Sequence, residues 1–208
     1  VVSLASALLL RSAHQLNEVH PGFDARDVTV LRTLLPYARY DDEATVAFHA
    51  RLVEQVRALP SVTAAGLTFQ VPLTTPWMAQ EVFRAEGGAR ASSLPVNVAD
   101  EGYFAAMGIP RIAGRDFRGM NGAANDELIL SRQAALALFD DAVGTAAIGR
   151  HVRLAAGGPP YTVVGVVGDV RDQHLATAPS AIVYRPHAVP RDAILEPGAR
   201  HTMALVVK

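Results

Sequence analysis

The most concentrated apolar run is Tyr161–Val170, YTVVGVVGDV, with five valines and a threonine in ten residues. A continuous β-branched run of strand length, preceded by Gly157-Gly158-Pro159-Pro160, reads as a strand buried on both faces. Gly165 and Gly168 inside it point to a bulge or to close approach by a neighbouring element. Nearer the N-terminus, Asp27–Leu35 is β-rich and stopped by Pro36. Asp41-Asp42-Glu43 then opens a helix, where acidic side chains cap orphan N–H groups and complement the dipole. Phe48, Leu52, Val56 and Leu59 form one stripe at helical spacing, with Arg51, Glu54 and Arg57 off it. Pro60 ends the helix and Val62–Phe69 forms the next strand. Strand, helix and strand in this order predict two parallel strands in one sheet.

The rest of the chain carries shorter periods. Glu81–Ala85 and Leu94–Val98 read as strands joined at the Gly87-Gly88 turn. Glu101–Met107 is a short helix with Gly108 at its C-terminal side. Glu127–Leu130 is a strand and Arg132–Phe139 a helix, while His151–Leu154 pairs with Tyr161–Val167 across the glycine–proline turn. Ile182–Tyr184 and Met203–Val207 supply two further strands. Val71–Trp77 and Pro186–Gly198 are proline-punctuated loops, and Leu4–Val19 is helical up to His20-Pro21-Gly22. The composite is α+β, a mixed sheet with helices on one face and a smaller insert around 99–155.

Composition narrows the class. The 208 residues are 50% hydrophobic and 19% charged, with a net charge of -1, so nothing global points to nucleic acid or to an anionic membrane surface. Cysteine is absent, which excludes a disulfide framework and thiol chemistry. The seven histidines fall singly, with no HExxH spacing. The chain starts at Val1 rather than Met and is expected to begin inside a longer protein. Val1–Leu10 is apolar up to Arg11, too short to span a bilayer, which takes about 20 residues. Two readings of it stand: the last turns of a transmembrane helix, or a buried helix.

Candidate chemistry is sparse. Asp169, Asp172 and His174, at the carboxyl end of the valine strand, offer metal ligands or an acid–base pair, as in a metal-dependent hydrolase. Their spacing matches no recurrent metal loop and Arg171 lies among them, so a polar turn explains them better. Asp116–Glu127 carries Asp116, Asn121, Asn125, Asp126 and Glu127, oxygen ligands of the calcium kind, but the EF-hand order fails at Arg118 and Asn121. No GxGxxG, GxSxG or P-loop exists, and Ser131 has no elbow glycine. Phe69, Trp77 and Phe83 either line a groove or pack a core, and the loop Phe69–Trp77 offers a soluble ligand- or partner-binding module. No catalytic constellation, cofactor site or metal site emerges.

Taken in order, several phrases form a set: Val19-His20-Pro21-Gly22-Phe23-Asp24, Leu59-Pro60-Ser61-Val62, Tyr103–Pro110 (YFAAMGIP), Gly114-Arg115-Asp116-Phe117, Ile148-Gly149-Arg150, Thr162–Arg171 and Val183-Tyr184-Arg185-Pro186. The set resembles the MacB-like periplasmic core domain of FtsX/MacB-type ABC transporter permeases, most of all the duplicated permeases with two units in one chain. The resemblance implies an extracytoplasmic domain inserted between the first two transmembrane helices, at the periplasmic face of the inner membrane. Residues 1–20 become the end of the first transmembrane helix with a juxtamembrane helix. Residues 21–98 and 156–208 become a porter-like subdomain, and 99–155 a smaller inserted one. The implied function is mechanical and non-catalytic: ATP-driven conformational change is transmitted to export or release of a substrate. The implied partners are a cytoplasmic ABC ATPase and a periplasmic adaptor or second permease half. Gly108, Gly114 and Gly149 are then turn residues, and Tyr103-Phe104 and Val163–Val167 are core.

Overall fold

The structure is a computed structural model that describes residues 19–74, 78–88, 90–118, 126–187 and 201–208. In chain order the elements are β1 (Thr29–Leu34), α1 (Asp42–Arg57), β2 (Ala65–Thr68), β3 (Gln80–Ala85), β4 (Ala91–Ala99), α2 (Tyr103–Ala106), β5 (Arg111–Gly114), β6 (Glu127–Ser131), α3 (Arg132–Phe139), β7 (His151–Leu154), β8 (Tyr161–Val167), β9 (Val183–Pro186) and β10 (Thr202–Val207). The fold is mixed α+β.

Two sheet regions share one strand. The first, a stem, has the order β1-β10-β2 with both pairings antiparallel. β1 and β2 are therefore parallel and share a sheet, as the strand–helix–strand order predicts, but β10 lies between them. α1 begins where Asp41 accepts the Ala44 N–H at 2.8 Å. It buries Thr45, His49 and Val53, and Val53 packs with Leu67, Met203 and Leu205. This corrects the predicted stripe: Leu52 and Val56 are only half-buried, and Leu59 is 52% exposed. The helix is turned toward the Thr45 side because the sheet offers polar partners to His49, described below.

The second region is a ring, β4-β3-β7-β8-β6-β9, closed where β9 also pairs in parallel with β4 through Val96↔Val183 to Ala99↔Pro186. Closure leaves no strand edge to template unwanted pairing. Phe83, Leu94, Val96, Leu128, Leu130, Val152, Val163, Val166 and Val183 fill it, and Ala134 and Ala135 of α3 pack on the same cluster. α3 follows β6 directly, with Ser131 accepting the Ala134 N–H at its start.

β8, like β4, pairs with three strands. β7 joins its start, β6 runs parallel along it, and β5, which no local pattern announces, pairs with its end. All of β8 is buried except half-buried Thr162. The register with β6 shifts between Leu128 and Ile129, passing over Val164, so a bulge sits beside Gly165. A Cβ on Gly165 would lie 2.4 Å from the Arg115 carbonyl oxygen, so close approach by the neighbouring segment requires glycine there. Gly108, Gly114 and Gly149 all take positive φ. A further apolar cluster around Tyr103, Phe104, Met107, Val167, Val170 and Tyr184 joins ring and stem, where it meets Ala204 and Val206 of β10. Among the described residues no helix is long and apolar enough to cross a membrane.

Candidate functional site

Stem and ring meet along the last residues of β4. There β2 pairs with β4 through Thr68↔Ala99, flanked by the bonds Phe69 N–H to Val98 O (2.9 Å) and Asp100 N–H to Leu67 O (3.0 Å). So short a ladder cannot hold two bodies in register alone, and three polar links, two of them buried, surround it.

The first link is Asn97. Its Oδ1 accepts the Gln70 N–H (3.0 Å) and the Val98 N–H (2.8 Å), and its Nδ2 donates to Gln70 O (2.9 Å). The Thr68 hydroxyl adds a bond to Val98 O at 3.0 Å. An amide side chain is thus built into the backbone of both strands, satisfying groups that burial would otherwise penalise.

The second link ties the end of α1 to the start of α2. Arg57 donates to Ala65 O (2.9 Å), Glu101 (2.7 Å) and Asp100 (3.3 Å). Asp100 in turn accepts the N–H groups of Gly102 and Tyr103, each at 3.0 Å. Burial, then the neighbouring Glu101, pushes Asp100 up to about 7, against the pull of Arg57.

Histidines make the third. His49 of α1 lies 3.0 Å from His187, which directly follows β9, through Nδ1 and Nε2. Its other nitrogen, Nε2, is 3.0 Å from the Thr33 hydroxyl of β1, and that hydroxyl donates to Met203 O of β10 (3.1 Å). The His187 N–H reaches Ala99 O at the end of β4 (3.2 Å). His201, at the start of β10, bonds Tyr40 O at 2.9 Å and stacks against Tyr37. All three imidazoles are buried.

Beside the joint is a cavity of about 10 Å³, lined by Gln70, Asn97, Tyr103, Asp172, Ile182 and Tyr184 among others. It has room for about one water molecule.

The residues singled out in the sequence are not brought together. Asp169 accepts the Gln133 N–H (2.8 Å) and pairs with Arg132 (3.1 Å), so it caps α3. Asp172 is buried toward the cavity, and its carbonyl accepts the Leu73 N–H at 2.7 Å. His174 is exposed and its carbonyl closes a turn with Thr177. Among the described residues no group of three or more His, Asp or Glu side chains is arranged to hold a metal ion. Of the calcium-type loop, Asn121 and Asn125 lie outside the described residues, while Asp116 pairs with Arg111 and Glu127 with Arg115. Phe83 is in the ring core and Phe69 packs partly against the α1 cluster, while Trp77 lies outside the described residues. Ser131 is a helix cap and also accepts the Ile182 N–H at 2.9 Å.

Sequence reading missed the joint. His49 and His187 are 138 residues apart, and no local pattern links them. The one available signal was the buried spacing Thr45–His49–Val53, at i, i+4 and i+8 on α1. Most polar groups of the joint bond one another or backbone, while Glu101 Oε2, Tyr103 Oη and His201 Nδ1 are buried without a hydrogen-bond partner among the described residues.

The profile of the MacB-like periplasmic core domain family matches residues 5–207. Among solved structures, the periplasmic region of MacB from Actinobacillus actinomycetemcomitans matches with a TM-score of 0.55 at 13% identity, over 93% of this chain and 79% of that one. The extracellular domain of the noncanonic ABC-type transporter YknZ from Gram-positive bacteria matches with a TM-score of 0.49 at 16% identity, over 86% of this chain and 83% of that one. At 13% identity the likeness to MacB speaks for the fold. A comparison with curated protein sequences gives no match.

Proposed function

Because the chain belongs to the MacB-like periplasmic core domain family, we propose that it is the extracytoplasmic lever of an ABC transporter permease, non-catalytic itself. It carries motion driven by ATP hydrolysis elsewhere in the assembly to export or release of a substrate. The observation that carries this reading is the base of the stem. β1 and β10 run side by side in register from Thr29↔Val207 to Leu34↔Thr202. Below them Lys208 and Asp24 meet at 3.0 Å. The two ends of the described chain therefore lie together, as a domain inserted between two membrane helices requires. Displacement of either helix would enter one three-stranded sheet and pass through β4 into the closed ring. On this reading residues 21–98 and 156–208 are the porter-like part and 99–155 the smaller insert, whose β6 and β7 complete the ring. The partners are a cytoplasmic ABC ATPase and a periplasmic adaptor or second permease half, at the periplasmic face of the inner membrane.

The full-length permease with its ATPase, in lipid, tests this. These 208 residues contain no cysteine, so labels placed at exposed Leu34 of the stem and exposed Val82 of the ring add no unwanted sites within the domain. Measured against labels in the partner permease unit, their distances are expected to change between nucleotide-free and ATP-trapped states. Identical distances in every nucleotide state, with transport intact, would rule the lever out.

A further inference from the structure

We propose that His49 and His187 form a proton-responsive joint: neutral, they lock α1 to the β4–β9 seam of the ring, and protonated, they release it. The protonation pattern follows from the bonds. The Thr33 hydroxyl spends its one hydrogen on Met203 O (3.1 Å), so it accepts from His49, whose Nε2 must carry the proton. A neutral His49 then presents a bare Nδ1, and His187 Nε2, 3.0 Å away, must be the donor. Bonds run without a break from Met203 of β10 through Thr33 of β1 and His49 of α1 to His187, whose backbone N–H joins Ala99 of β4 (3.2 Å). The chain crosses from stem to ring.

One added proton can sit on the unprotonated Nδ1 of His187 and leaves its Nε2–H donor in place. The pattern breaks at His49, where a proton on Nδ1 meets the one already on His187 Nε2. A second proton puts two cations on rings whose centroids are 5.0 Å apart, where burial weakens solvation of both. The titratable and charged groups on the packed elements offer little compensation. Arg185 of β9 is committed to Glu81, Asp100 and Glu101 beyond β4 are tied to Arg57, and Arg32 of β1 bonds Thr74. Glu43, Arg51 and Glu54 of α1 lie off its buried stripe, and half-buried Asp42, on that face, lies about two turns from His49. Tyr37 stacks on His201, and Tyr40 meets Phe48 and offers its carbonyl to His201. His201 adds a like charge when protonated. Burial first and His201 second hold His49 down to about 4. A lowered imidazole pKa means the joint is at full strength above the ordinary histidine pKa of about 6.5 and weakens as pH falls toward 4.

The mechanical consequence rests on the lever reading; the joint itself does not. Nitrogen-15 NMR of the histidines in the 208-residue chain is expected to show His49 as the neutral Nε2–H form at pH ~7. Hydrogen exchange, corrected for intrinsic rates, is expected to show protection of the His187 amide falling about tenfold more than that of β8 amides between pH ~7 and ~4.5. In the double variant His49→Phe/His187→Leu this extra loss disappears. An Nδ1–H tautomer on His49 at neutral pH, or acid loosening of the seam that persists undiminished in the double variant, overturns the proposal. Should the double variant not fold, the tautomer measurement on the unaltered chain decides alone. Neither readout involves ATP or transport, so a failed lever leaves both intact.

Discussion

Arg185 is fully buried, and its charge is answered inside the ring. Its Nη1 reaches both Glu81 oxygens at 3.0 and 3.2 Å, its Nη2 donates to the Tyr161 hydroxyl, and its guanidinium lies 4.8 Å from the Tyr161 ring. From β9 the side chain reaches over β4 to β3 and across to β8, bracing strands that do not all hydrogen-bond to one another. Desolvating both ions offsets much of their attraction, so the pair is a costly brace to lose one side of rather than a large net stabiliser. Arg185→Met is expected to cost about 3–5 kcal/mol at neutral pH because Glu81 is left buried and unanswered. Adding Glu81→Gln should recover part of that loss. Burial already pushes Glu81 up while Arg185 opposes it, so removing Arg185 raises it further. A raised carboxyl favours the fold when neutral, and that contribution fades as pH rises through the folded-state value. The deficit of Arg185→Met should therefore shrink as pH falls from ~7 toward ~4.5, measured by urea unfolding at both values. A deficit independent of pH would mean that Glu81 is not the group left stranded.

At the scale of elements, local rules predict local consequences. Asp41 caps α1 through the Ala44 N–H, so Asp41→Ala should cost about 1 kcal/mol in thermal or denaturant unfolding. Gly165→Ala should cost about 1–3 kcal/mol or prevent folding, since the Arg115 carbonyl, 2.4 Å from the new Cβ, is backbone and cannot swing aside. A near-neutral Gly165→Ala would show that the bulge beside it relaxes freely. Both positions were legible in the sequence, one as an acidic helix start and the other as a glycine inside a valine strand. So were the hairpin of β3 with β4, the pairing of β7 with β8, and α3. What was not legible is what chain-distant partners decide. β10 slips between β1 and β2, and β9 closes the ring on β4, yet neither pairing leaves a mark on nearby residues. The face of α1 was misread for the same reason: hydrophobicity favoured Phe48 and Leu52, whereas Thr33 and His187, supplied from far along the chain, satisfy His49 and draw its side inward. β5, four residues ending at Gly114, is held by its partner β8 rather than by its own propensity.

The whole molecule is two sheet bodies sharing β4, and whether they move separately depends on how stiff that share is. Asn97 is the place to ask. It sits where β4 pairs in parallel with Tyr184 of β9 on one side and reaches the segment after β2 with its side chain on the other. Asn97→Ala removes the acceptor of the buried Gln70 N–H and the amide donor to Gln70 O, which the Thr68 hydroxyl reaches at 3.1 Å only by turning away from Val98 O. One stranded N–H costs about 1–3 kcal/mol. The size of the loss matters less than its distribution. The ring is closed and has its own core, and the stem draws on a separate cluster under α1. Cutting the bracket between them should then lower hydrogen-exchange protection in β1, β2 and β10 while leaving the slowest amides of β6 and β8 unchanged. That pattern would give the molecule the two rigid parts and the yielding joint that a lever needs. If protection in stem and ring falls by the same amount, the domain is one cooperative block, and any motion it transmits must pass through it as a whole.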